Sequence, residues 1–157
     1  MSEAKPFTLE ELQQRFITQI PFNEFLGLRV VGASPGRLVA ELPFSAGLVG
    51  DADTNAMAEG PITTAIDAVC GSVALTIWHH FRRTATLDLR LDFLRAPGAG
   101  LGVTIEADSI SLNEHLSIVR GVAHDGDPAR PIAIATASFA TFPPRATGPD
   151  STPGVAS

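Results

Sequence analysis

Between Gly60 and Trp78 the chain is apolar and small-residued almost throughout, and it holds one charge, Asp67. A helix apolar on nearly every side is a buried helix. Nothing from Pro61 to Trp78 places a cation three or four positions from Asp67. An unpartnered buried carboxylate is costly, so Asp67 must be shifted in protonation, partnered from elsewhere in the fold, or used chemically.

The segment invites a membrane reading, but Asp67, Gly71, Ser72 and three threonines make it a poor span. We expect no membrane association. At 157 residues and 45% hydrophobic content the chain fits one globular domain with a real core. The net charge of −6 and the absence of a basic stripe argue against a nucleic-acid partner. The first residues lack the apolar region of a signal peptide, and the single cysteine, Cys70, excludes an internal disulfide. Both features lead us to expect a cytoplasmic protein, with Cys70 as a small buried apolar residue.

Around the central segment the pattern is mostly that of strands. Thr8 to Glu11 has capping-box spacing, followed by Leu9, Leu12, Phe16 and Ile20 at helical spacing. This predicts a helix over about 8–19, stopped by Pro21, then a connector to Gly27. Leu28–Ala33 and Arg37–Phe44 read as strands joined by the turn Ser34-Pro35-Gly36. The loop 45–59 is expected to be irregular and functional. Thr84–Leu94 alternates, with Leu87, Leu89, Leu91 and Phe93 on one face and Thr86, Asp88, Arg90 and Asp92 on the other. Further strands are expected over 101–111, 115–124 and 131–142, and a disordered tail over 143–157. His115 and His124 are read as surface residues at strand ends. The order implies an α+β chain in which an antiparallel sheet curls around one buried helix.

At this point the chain resembles the hotdog fold, and within it the phenylacetate-pathway (PaaI-like) acyl-CoA thioesterases. The residues that carry the likeness are Leu26-Gly27-Leu28-Arg29-Val30-Val31 with Pro35-Gly36-Arg37, the spacing from Gly60 to Asp67, and above all Thr86 through Arg95. That last run resembles the family's Thr-Val-Asp-Leu-Asn-Val-Ser-Phe-Leu-Arg strand. The resemblance covers about 26–142, so the chain divides into an N-terminal helix and connector (1–25), a hotdog domain (26–142) and the tail (143–157). The family's histidine and first glycine fall at Ala58 and Glu59 here, and Ala52 stands where an asparagine is common, leaving Asn55 as the candidate for that role.

The resemblance implies a homo-oligomer, dimer or tetramer, that hydrolyses an acyl-CoA thioester, with coenzyme A as part of the substrate and no separate cofactor. Asp67 would be nucleophile or general base, the Gly60 amide would polarise the thioester oxygen, and Thr86 and Asn55 would orient substrate or water. Pro61 suits a first helical turn, and Gly60 permits close approach to the backbone. Seven residues of helix span about 10 Å at ~1.5 Å per residue. Asp67 therefore cannot act on a carbonyl held at its own Gly60, and the site would combine Gly60 of one subunit with Asp67 of another. Met57, Glu59 and Pro61 would border the substrate, with Leu48, Ile62 and Trp78 as further acyl-pocket candidates. Arg82, Arg83 and Arg95 would meet coenzyme A phosphates. No metal-ligand cluster is visible. Two other readings stay open: a hotdog protein that binds an acyl-CoA without turnover, and a hotdog hydratase or dehydratase.

Overall fold

The structure, a computed structural model, describes residues 7–15, 19–78 and 82–143. Two short helices, α1 (Leu9–Gln13) and α2 (Pro21–Phe25), precede strands β1 (Arg29–Ser34) and β2 (Arg37–Leu42). A 3-10 turn at Ala46–Leu48 leads into a small strand pair, β3 (Val49–Asp51) and β4 (Ala56–Met57). Then come α3 (Glu59–Ser72) and α4 (Leu75–Trp78). Four long strands follow, β5 (Arg83–Phe93), β6 (Val103–Leu112), β7 (Leu116–His124) and β8 (Ala133–Phe142). Six of the strands form one antiparallel sheet in the order β1-β2-β6-β7-β8-β5.

The sheet curls around α3, as the central segment requires. Ile62, Ile66, Val69 and Cys70 of α3 are buried against Leu38, Ile105, Val119 and Phe139 from four strands. Each large aliphatic side chain so buried contributes about 1.5–3 kcal/mol. Two glycines let the helix sit close. A Cβ at Gly121 would lie 2.9 Å from the Cys70 sulfur, and one at Gly71 would lie 3.1 Å from the Phe139 ring. Burial, with the nearby Asp67 charge, pushes the Cys70 thiol up to about 12, so it is a packing residue. By length and composition Glu59–Trp78 could cross a membrane, but in this fold it is the core helix.

Three expectations need adjustment. Thr8 caps α1 through the reciprocal Thr8–Glu11 box, and the helical backbone continues past Gln13 as a π turn through Gln14 and Arg15, with Gln19 already in a turn; residues 16–18, including Phe16, lie outside the described residues. Pro21 starts a helix rather than ending one, because its fixed φ suits the first helical position. His124 is buried, not superficial: its Nδ1 accepts the Gly126 N–H and its Nε2 lies 3.3 Å from Glu106. Glu106 and Asp108 in turn hold Arg37. His79, His80 and residues 144–157 also lie outside the described residues.

The two outer strands of the sheet are treated differently. On β1, the Gln13 side-chain amide accepts the Val30 N–H at 2.7 Å and donates to the Leu28 carbonyl at 3.3 Å. At the opposite margin, β5 has no strand beyond it among the described residues.

Candidate active site

The start of α3 carries two unused backbone donors. Ala58 stands at the N-cap with no side-chain cap, and its N–H is taken by the Leu48 carbonyl at 2.8 Å. Pro61, third in the helix, has no N–H. This leaves the Glu59 and Gly60 N–H groups without an acceptor among the described residues, at the positive end of the helix dipole. Gly60 is exposed, and a Cβ built on it meets nothing within 4 Å. The space above these donors is open.

Two turns further on, Asp67 projects from the same side of α3, since seven residues are close to two turns of ~3.6. That side is the one the sheet leaves uncovered. Gly60 is exposed and Thr63, Thr64, Asp67 and Ala68 are half-buried, whereas Ile62, Ala65, Ile66 and Val69 are buried. The helix is thus less enclosed within one chain than its composition implies, because its small and polar positions share one face.

Asp67 has a partner, Thr86, whose hydroxyl donates to its Oδ1 at 2.9 Å. The contact depends on an irregularity in β5. Thr86 pairs with Phe139 and Asp88 with Ser138, so Leu87 is an extra, unpaired residue, a β-bulge. Beyond the bulge Leu89, Leu91 and Phe93 face the helix, opposite Ala137, Ala135 and Ala133. Before it the phase reverses, and Thr84 and Thr86 face inward beside buried Thr141 and Phe139. Strict alternation places Leu87 inside and Thr86 outside; the structure turns Leu87 out, 63% exposed, and sets Thr86, itself exposed, on the helix side against Asp67.

Around this pair is a hollow of about 210 Å³, bordered by Asp67, Gly71, Thr84 and Thr86. A larger groove, about 670 Å³, opens at the other end of the helix between Met57, Ala58, Glu59 and the Ala96–Pro97 loop. Met57 lines it and is itself buried, while Leu48 and Ile62 are core residues. Asn55 sits at the exposed β3–β4 turn with φ 53°, its carbonyl accepting the Gly100 N–H at 3.0 Å. It does not border the Asp67 hollow of its own chain.

The three candidate arginines separate. Arg95 grips Asp125 with two N–H groups and also donates to the Arg130 carbonyl; these bonds hold the Asp125 carboxyl well below the usual carboxylate range. Arg95 is therefore occupied as a loop clamp. Arg82 stacks 4.5 Å over the Trp78 ring and donates to the Glu114 carbonyl, and Arg83 lies 5.8 Å from the Phe142 ring.

A long helix wrapped by an antiparallel sheet defines a hotdog fold. Solved structures bear this out. The chain is similar to a Pseudomonas aeruginosa protein at 29% identity and TM-score 0.77, covering 85% of this chain and 98% of that one. It is similar to a thioesterase-family protein from Silicibacter pomeroyi (21%, TM-score 0.73, 86% and 98% covered). A thioesterase from Haemophilus influenzae also has this architecture (16%, TM-score 0.76, 90% and 95% covered). No sequence-family profile and no curated protein sequence matches the chain.

Proposed function

We propose that this protein is an acyl-CoA thioesterase working as a homo-oligomer, in the cytoplasm, with each site assembled from Asp67 of one subunit and the helix start of another. The observation that carries this reading is the Thr86–Asp67 hydrogen bond beside an open hollow, on the same helix face as two unoccupied N–H donors. Thr86 fixes one carboxylate oxygen and leaves the other for chemistry. That oxygen either attacks the thioester carbonyl, expelling the thiolate and giving a mixed anhydride that water cleaves, or removes a proton from the attacking water. The Glu59 and Gly60 N–H groups of the partner subunit stabilise the oxyanion. The uncovered strip of small residues on α3 admits a second helix closely, and the free margin of β5 can pair with its copy. Coenzyme A enters as part of the substrate.

A second reading, binding of an acyl-CoA without turnover, is favoured by one residue: Glu59 puts a carboxylate beside the donors that an oxyanion would need. Thiol release from a series of acyl-CoAs separates the two readings. The enzyme reading expects release that Asp67→Ala abolishes with folding intact; binding with no release from any thioester overturns it. Mixing inactive Asp67→Ala with inactive Gly60→Val tests the subunit arrangement. Mixed dimers would carry one whole site and restore about a quarter of the activity by random pairing, whereas a site within one chain would stay dead.

A further inference from the structure

The hollow beside Asp67 does not end there. It shares Gly71, Ser72 and Thr84 with a second hollow of about 250 Å³, so one groove runs along α3 away from Thr86. Its far end is bordered by Arg15, Arg82 and Arg83, and among the described residues no acid lines it. This is unusual in a chain of net charge −6. Arg29, Arg37, Arg90 and Arg95 each pair with a carboxylate. None of the three groove arginines has a carboxylate partner among the described residues. Arg82 is also already held by Trp78 and the Glu114 carbonyl, so it loses little freedom on gripping a ligand. Its Nε is buried without a partner among the described residues. The groove at the helix start has the opposite character: apropos charge, it holds Asp51 and Glu59 and no base.

We propose that the Arg15–Arg82–Arg83 groove binds the phosphates of the thioester's carrier, and that the acyl group lies in the Met57–Glu59 groove of the partner subunit. The assignment rests on the thioesterase reading above and fixes which way the substrate runs through the site. Phosphate anions are drawn to these three guanidinium groups, which have no carboxylate partner among the described residues and can grip oxygens with several N–H donors. They are repelled from the groove that carries Asp51 and Glu59. The same repulsion selects uncharged acyl groups over those ending in a carboxylate. From Thr86 to Arg82 is four strand residues, roughly 13 Å at ~3.3 Å each, so a flexible arm must join the thioester to the phosphates. The phosphopantetheine arm of coenzyme A meets that need.

Calorimetric titration of coenzyme A, pantetheine and inorganic phosphate into wild type, Arg15→Ala and Arg83→Ala tests the proposal without turnover. Both side chains are exposed, and thermal melts confirm folding of the variants. The expected result is that each substitution weakens coenzyme A at least tenfold, with a loss of salt dependence, and leaves pantetheine unchanged. Equal weakening of pantetheine, unchanged coenzyme A affinity, or inorganic phosphate binding as tightly as coenzyme A would each overturn it. An inactive protein whose coenzyme A affinity still falls in the arginine variants would sink the enzyme reading and leave this site standing.

Discussion

The Thr86 hydroxyl meets the Asp67 carboxylate at 2.9 Å because Leu87, one position along, is extruded from the β5–β8 ladder. Thr86→Val keeps the side-chain shape and removes the donor. Losing a hydrogen bond to a charged group costs about 1.5–3 kcal/mol, so thioester turnover should fall roughly 10- to 100-fold, with Thr86→Ser close to wild type. Deleting Leu87 should do less damage, since Thr86 and Asp88 already oppose the consecutive residues Phe139 and Ser138 and the ladder can close with Thr86 on the same face. Steady-state kinetics on the three variants decide the matter; a folded deletion variant without turnover would contradict the reading of Leu87 as the extra residue.

Gly60 offers a cleaner separation of stability from activity. Nothing lies within 4 Å of a Cβ there, so Gly60→Val should change stability by less than ~1 kcal/mol. The new methyls would stand over the free N–H groups, and turnover should drop at least tenfold. Denaturant unfolding read beside kinetics checks both halves.

Cys70 should be inert in the folded state. Its thiol is pushed up to about 12, so at pH 8 it stays protonated and a disulfide reagent should react only on unfolding. Its packing predicts a coupled pair. Gly121→Ala forces a Cβ to 2.9 Å from the sulfur and should destabilise by about 1–3 kcal/mol. Combining it with Cys70→Ala should relieve part of that cost, which a double-mutant cycle measures.

The Arg95–Asp125 clamp predicts an acid-dependent stability. The Asp125 carboxyl is held below its ordinary range by its bonds from Arg95 and from the Gly98 N–H. Its stabilisation is therefore complete above the unfolded value, near 3.9, and is lost as pH falls through the lower folded one. Asp125→Asn should cost about 2 kcal/mol at pH 6, and the gap from wild type should close as pH falls below about 4. A gap independent of pH would argue against the ionic contribution.

Much of the fold was legible because it rests on periodicity. The apolar run around Asp67 required a wrapped helix, and the strands after it follow two-residue alternation closely. The bulge was not legible, since nothing in Thr86-Leu87-Asp88 marks which residue leaves the ladder, and a slip of one residue exchanges faces. This is why alternation assigned Thr86 to the polar side. The groove arginines illustrate a second limit: Arg95 and Arg83 look alike in sequence, and only the fold brings Asp125 to one of them. Arg15 gave no signal, because its neighbourhood to Arg83 is created entirely by folding.

Gln13 has a consequence beyond holding α1 in place. Its amide presents one donor and one acceptor to β1, as a peptide group of a next strand would, and so stoppers that margin of the sheet. A sheet that can accept a neighbour at only one side grows by a single addition when the newcomer is its own copy, for the copy's far side is stoppered too. One glutamine thereby works against open-ended growth, and Gln13→Ala should aggregate more readily than wild type in a light-scattering assay.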